Sequence, residues 1–362
     1  MFRSPMDSDH APDPRPARNP LPRWRGFNLL DFFQALSSGE RGQGHVSEDD
    51  LRWIRDWGFD YVRLPMDYWM WVGSDWRRTR RLVPDDVSKF DLAALEKVDR
   101  AVELCRKYGL HLTLSFHRAP GYCVNDAERE PFVLWHDARA ADAFVQYWDV
   151  FARRYRAEPT SGLSFNLLNE PPAPAEGTMT RADYVHVMTR ASDAIRRHGV
   201  DRIILVDGIC GGESVVPELE PLGVAQSLHG YWPTPLSHYG ASWVEGSEQF
   251  ERPAWPPRGD GASSRSGRAE LEQRYAPWVE LARRGSGVHC GELGCYRRTP
   301  SEVALAWLAD VMDVLRAGEI GWALWNLRGD FGVLDSGRSD VRYEEWHGHK
   351  LDRRMLTLLQ RS

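Results

Sequence analysis

The chain has 362 residues, 42% of them hydrophobic, so it can bury a large core and is not a disordered polymer. A formal net charge of −6 gives no reason to bind nucleic acid, and only four of 46 basic residues are lysine (Lys89, Lys97, Lys107, Lys350), with no Gly-rich phosphate loop. No apolar run is long enough to span a membrane, and five scattered cysteines do not make a secreted disulfide framework.

Residues 1–22 are polar, carry six prolines and lack the apolar segment of a signal peptide. They read as a flexible tail, and the chain as a soluble, cytoplasmic protein. From residue 23 to 362, strand-like and helix-like segments alternate. Strands are predicted at Trp24–Leu30, Tyr61–Leu64, His111–Phe116, Leu163–Leu168, Arg202–Val206, Ala225–His229, Val288–Gly291 and Trp322–Trp325. Helices are predicted at Ala93–Tyr108, where Leu92, Leu95, Val98, Val102 and Cys105 share one face, and at Ala140–Tyr155 and Val303–Leu315. The alternation predicts an α/β fold, a single (β/α)8 barrel. Tyr239–Arg268, rich in Gly, Ser, Pro and Arg, is expected to be a long loop after the sixth strand with a disordered centre near Gly259–Gly267.

There are 16 tryptophans. Trp69, Trp71, Trp76, Trp232, Trp243 and Trp255 fall in loop-like stretches, where indoles either stack on sugar rings or pin loops to the barrel. His289, Cys290 and Cys295 are close in sequence but lack a paired CxxC motif. Buried thiols are the expectation there, with no metal and no other cofactor.

Polar residues crowd the C-terminal ends of the predicted strands, where barrels of this kind gather their chemistry. Arg63 follows Tyr61-Val62, His117 follows Phe116, and Asn169-Glu170-Pro171 closes the fourth run. His229 and Tyr231 end the sixth, Glu292 the seventh and Trp325 the eighth. Two carboxyl groups facing each other are the minimum equipment for cleaving a glycosidic bond, which makes Glu170 and Glu292 the central pair.

The ordered set Arg63-Leu64-Pro65, His117-Arg-Ala-Pro120-Gly121, Leu168-Asn169-Glu170-Pro171, His229-Gly-Tyr231, Gly291-Glu292-Leu-Gly294 and Trp322-Ala-Leu-Trp325-Asn326 resembles glycoside hydrolase family five, the cellulase and β-mannanase family. The resemblance covers roughly residues 24 to 360. It implies retention at a β-linkage, with Glu170 as general acid/base and Glu292 as nucleophile. Glu170 is then expected to hold its proton through burial and nearby negative charge, and Glu292 to be ionised with its pKa lowered by Arg63. By the same resemblance Tyr231 bonds to the nucleophile, Asn169 holds the sugar 2-hydroxyl, His117 and His229 line the site, and Trp325 lies under the −1 sugar. The sequence departs from the family pattern at Tyr122-Cys123-Val124-Asn125 and at Leu293, where an aromatic residue is common. Arg328 and Asp330 are read either as contacts to hydroxyls beyond the −1 sugar or as surface ion-pair residues.

The expected partner is therefore an oligosaccharide or glycoside of gluco or manno configuration. A compact, exo-type pocket is favoured, walled by the 239–268 loop and the aromatic Asp67–Trp76 segment. The alternatives are an endo-β-1,4-glucanase or mannanase on polymers, a non-catalytic carbohydrate-binding barrel, and a metal-dependent hydrolase using His and Cys clusters.

Overall fold

The computed structural model describes residues 19–36, 43–257 and 266–362. Its strands are β1 (Arg25–Asn28), β2 (Tyr61–Asp67), β3 (His111–Ala119), β4 (Leu163–Asn166), β5 (Ile204–Asp207), β6 (Ala225–Gly230), β7 (Val288–Leu293) and β8 (Gly321–Leu324). Each pairs in parallel with the next, and β8 pairs with β1, so the ring closes. Each predicted strand overlaps one of these, and the expected (β/α)8 barrel is the observed architecture. The two-residue strand Tyr122–Cys123 folds back antiparallel on the end of β3.

Around the ring lie α1 (Glu48–Asp56), α2 (Glu96–Tyr108), α3 (Ala138–Arg154), α4 (Arg181–Arg196), α5 (Ser266–Arg283), α6 (Ser301–Ala317) and α7 (Arg353–Arg361). Local chemistry sets their ends. Thr180 and Asp183 form a reciprocal capping box that starts α4. Gly109, at φ 64°, ends α2 by donating its N–H to the carbonyls of Arg106 and Cys105. The predicted start of α2 is three residues too early. Leu92 is 55% exposed and lies ahead of the helix, while Val98, Val102 and Cys105 face the core. Between β5 and β6 a 3-10 segment, Pro217–Leu222, replaces a regular helix, and its Pro221 has no N–H to give to a helical ladder.

Side chains stack in layers inside the barrel. Near the foot, Tyr61 donates to Thr113 Oγ1 (2.8 Å), and Ser164 Oγ bonds to both Thr113 (2.7 Å) and His111 Nε2 (2.8 Å). Nearer the mouth lie Asn28, Arg63, Ser115 and Asn166, all buried. The apolar core fills the space between strands and helices, with Trp148, Trp278, Trp307 and Trp322 fully buried. Each such indole contributes roughly 4 kcal/mol or more of transfer free energy before entropic costs.

At Gly26 the strands approach too closely for any side chain. A Cβ there would lie 1.7 Å from the carbonyl oxygen of Tyr61, its partner in β2. Gly26→Ala must push β1 away from β2. We expect a stability loss of about 3 kcal/mol, read as a lower denaturant midpoint, and a midpoint like that of the unaltered chain would refute the constraint.

Residues 1–18 of the expected tail lie outside the described residues. Residues 19–22 belong to the barrel instead, because Asn19 donates to Val288 O (2.7 Å) and accepts from Val288 N (3.0 Å) at the start of β7. Of the expected disordered centre, 259–265 lies outside the described residues, and Ser266 and Gly267 open α5. No helix among the described residues is long and apolar enough to cross a membrane.

Candidate active site

The polar strand ends converge at the C-terminal mouth of the barrel. Arg63 stands on β2, His117 on β3, His229 on β6 and Glu292 on β7. Asn169 and Glu170 follow β4, Tyr231 follows β6 and Trp325 follows β8. A carboxylate oxygen of Glu170, one of Glu292 and a ring nitrogen of His229 lie within 4.8 Å of one another. That is the short spacing of a double-displacement pair, against roughly 6.5–9.5 Å where a water must fit between the carboxyl groups.

Arg63 organises the floor. Its Nε donates to Asn166 Oδ1 (3.1 Å), one terminal nitrogen to Asn28 Oδ1 (3.0 Å) and Glu292 Oε1 (2.5 Å), and the other to Ser115 Oγ (3.0 Å) and Asn169 Oδ1 (2.8 Å). Tyr231 donates its hydroxyl to Glu292 Oε2 at 2.9 Å, and its phenol is held well above the ordinary value by burial and by Glu292. Because Asn169 Oδ1 is taken by Arg63, its buried Nδ2 is left without a partner, a donor aimed by the same bond. Trp325 is half-buried, with His117 stacked on it (centroids 5.7 Å apart) and Phe33 edge-on at 5.3 Å.

Glu170 occupies the left-handed region, at φ 47°, which costs a residue with a Cβ on the order of 1–3 kcal/mol. Two bonds hold it there. Its N–H donates to Asp207 Oδ2 (3.0 Å), and its carbonyl accepts from Tyr122 (2.6 Å). Its side chain is 19% exposed, against 3% for Glu292.

Burial pushes the Glu292 carboxyl above the ordinary carboxylate range, while His229 and Arg63 pull it back. The expectation that Arg63 sets a low value is thus corrected: the guanidinium acts in the expected direction, but removal from water is the larger effect. Burial also opposes charge on His229, yet Glu292, Asp207 and Glu170 around it raise its pKa to about 10. Burial works against the Asp207 carboxylate as well, but His229, Arg63 and the Glu170 N–H bring it down to about 2. Burial, with Arg63 and His229 nearby, drives His117 well below its usual value, so it is neutral.

Asp207, buried at the centre of the site, is a residue that strand-end reasoning missed. It is one residue past the predicted end of the fifth strand and carries the same signal as Glu292, an acid closing an apolar run. Asn28, Ser115 and Asn166, which hold Arg63, were also not singled out. The loop tryptophans divide sharply. Trp69, Trp71 and Trp76 are fully buried, Trp255 is buried with its Nε1 on Asp310, Trp232 is half-buried, and Trp243 is 54% exposed. Arg328 pairs with Asp50 and contacts His349, while Asp330 pairs with Arg297.

Among the described residues, Glu170, His229 and Glu292 form the grouping with metal-ligand spacing, and His289, Cys290 and Cys295 form none. The trio fits an acid–base pair better than a cation site, because the surrounding carboxylates favour the protonated, non-ligating form of His229 and Arg63 already pairs with Glu292.

Comparison with known proteins agrees with this geometry. A family model described as cellulase (glycosyl hydrolase family 5) matches residues 21–330. Endoglucanase C of Acetivibrio thermocellus is 27% identical over 348 residues, covering 88% of this chain and 95% of that protein. Cellodextrinase A of Ruminococcus flavefaciens is 27% identical over 293 residues, covering 78% and 79%. A crystal structure of a glycoside hydrolase superposes with a TM-score of 0.83 at 35% identity, covering 94% of this chain and 99% of that one. Thermotoga maritima Cel5A in complex with mannotriose shares the fold, with a TM-score of 0.72 at 22% identity over 93% of this chain and 97% of that one. A barrel with two facing glutamates at its mouth, matched along most of its length by this family model, is a glycoside hydrolase, and the chain belongs to the cellulase family, glycosyl hydrolase family 5.

Proposed function

We propose that the protein hydrolyses β-1,4-linked glucan chains by double displacement, with Glu292 as the nucleophile and Glu170 as the acid and then the base. The separation of at most 4.8 Å between their nearest oxygens carries this reading. Supporting it, Glu292 is the more buried carboxylate and receives bonds from Arg63 and Tyr231, as befits a group that must be ionised and fixed. Glu170 is the more open one, as befits a group that meets the leaving oxygen and later a water. The free Nδ2 of Asn169 is the donor for the sugar 2-hydroxyl, and Trp325 is the surface under the −1 ring. The glucan preference draws on the two relatives named for endoglucanase and cellodextrinase activity.

The rim favours cleavage inside chains over a closed exo-type pocket. The Asp67–Trp76 segment, read from sequence as one wall, buries Tyr68, Trp69, Trp71 and Trp76 instead of exposing them. Trp71 packs on Phe116 and Phe151, and Trp69 on Trp76. On this reading, soluble carboxymethylcellulose loses viscosity early, before much reducing sugar appears, and NMR of fresh digests shows the β-anomer first. Release of glucose or cellobiose alone at constant viscosity would overturn internal cleavage. An initial α-anomer would overturn double displacement.

A further inference from the structure

Asp207 has no task in the two-glutamate mechanism, yet it sits at the centre of the site. It ends β5, is fully buried, and uses both oxygens there. Oδ1 accepts from Asn166 Nδ2 (2.9 Å). Oδ2 accepts the Glu170 N–H (3.0 Å), and lies 3.0 Å from His229 Nε2 and 4.0 Å from Arg63. His229 is thereby caught among three carboxylates, since its Nδ1 is 2.8 Å from Glu170 and 3.7 Å from Glu292. The backbone of Gly212 closes against its ring, with room for no side chain. Of the other groups near by, Arg63 and Tyr231 are bonded to Glu292, and Tyr122 to the Glu170 carbonyl. His117 and His238 are held neutral by burial.

We propose that Asp207 is a positioning residue that keeps His229 an imidazolium, so that a fixed positive charge stands beside both Glu170 and Glu292 while negative charge passes between them. This role rests on the two-glutamate reading of the site. In the resting site Arg63 and His229 balance Asp207 and Glu292. In the first step a Glu292 oxygen bonds to the anomeric carbon. The glycosidic C–O bond breaks, and its electron pair takes the proton of Glu170. Glu292 becomes a neutral ester as Glu170 becomes a carboxylate, so two cations still face two anions. In the second step a water oxygen bonds to the anomeric carbon and gives a proton to Glu170, and the ester electron pair returns to Glu292. Charge moves between the two glutamates, and the histidine ring stays 2.8 Å from one and 3.7 Å from the other.

The test is Asp207→Asn, which keeps the shape and removes the charge. His229 should then lose its proton near neutral pH. The loss of the His229 cation outweighs the loss of the Asp207 anion, because His229 acts on Glu292 more strongly than Asp207 does. The acidic limb of kcat/KM, where Glu292 gains its proton, should therefore move to higher pH by roughly one unit. Tyr122→Phe is the structural control. It also loosens the Glu170 backbone but should lower kcat without moving the limb. An active Asp207→Asn enzyme with an unmoved limb overturns the proposal. Should that variant not fold, 15N NMR of the unaltered protein decides. Both ring nitrogens of His229 should be protonated at pH 8, and a neutral ring there overturns the proposal. The NMR result is independent of turnover, so it stands apart from any failure of the two-glutamate mechanism, which Glu292→Ala tests directly.

Discussion

Glu292→Ala should lower kcat on aryl β-glucosides by on the order of 10⁴-fold or more, equivalent to about 5 kcal/mol of lost transition-state stabilisation. Without the carboxylate no covalent intermediate forms, and among the described residues no other acid is free to replace it: Glu170 is the proposed acid and base, and Asp207 is committed to Asn166, His229 and the Glu170 backbone. Azide added to this variant should occupy the space of the missing side chain and attack the sugar directly, giving an α-glycosyl azide. The substitution also strands the Arg63 charge among buried groups, so the variant should be less stable by roughly 3 kcal/mol or more. In the unaltered enzyme the pH profile follows from the same residue. Glu292 must be ionised to attack and burial raises its pKa, so activity should fall on the acidic side at a pH above the ordinary glutamate range. Near-normal turnover by Glu292→Ala, or an acidic limb below about pH 4, would contradict the assignment.

Glu170→Ala should produce a different failure. With a natural oligosaccharide, whose leaving oxygen needs a proton, the loss should again be several orders of magnitude. With a dinitrophenyl glycoside, which leaves without help, the first step should survive. The second step lacks its base, so a burst of dinitrophenolate followed by a slow steady rate is expected. Azide should restore turnover, now through the covalent intermediate, giving a β-glycosyl azide. The two azide anomers thus assign the two roles independently. An α-product from Glu170→Ala and a β-product from Glu292→Ala would exchange them.

The barrel was legible because its strands are short apolar runs and several carry their chemistry as the residue that ends the run. Glu170 and Glu292 announce themselves in this way, as do His229 and Tyr231. Asp207 gives the same signal, but the fifth run reads as closing at Val206, one position short. What was not legible depends on contacts between distant segments. Trp71 reads as a loop tryptophan until Phe116 and Phe151 are seen to enclose it. Asn28 looks like an ordinary strand residue, yet it joins Arg63 to the carbonyl of Gly291, 263 positions away. The sign of the Glu292 shift failed for a related reason. Neighbouring charges can be guessed from motifs, but the extent of burial is a property of the closed barrel.

The bonding of Arg63 constrains how this enzyme can change. One guanidinium ties side chains from β1, β2, β3, β4 and β7 into a single knot that includes Glu292 and Asn169. Catalytic geometry and barrel closure are thus one property, and selection cannot loosen the first without fraying the second. New substrate preferences must come from the rim, where side chains such as Trp243 take no part in the knot and can be exchanged at little cost to it.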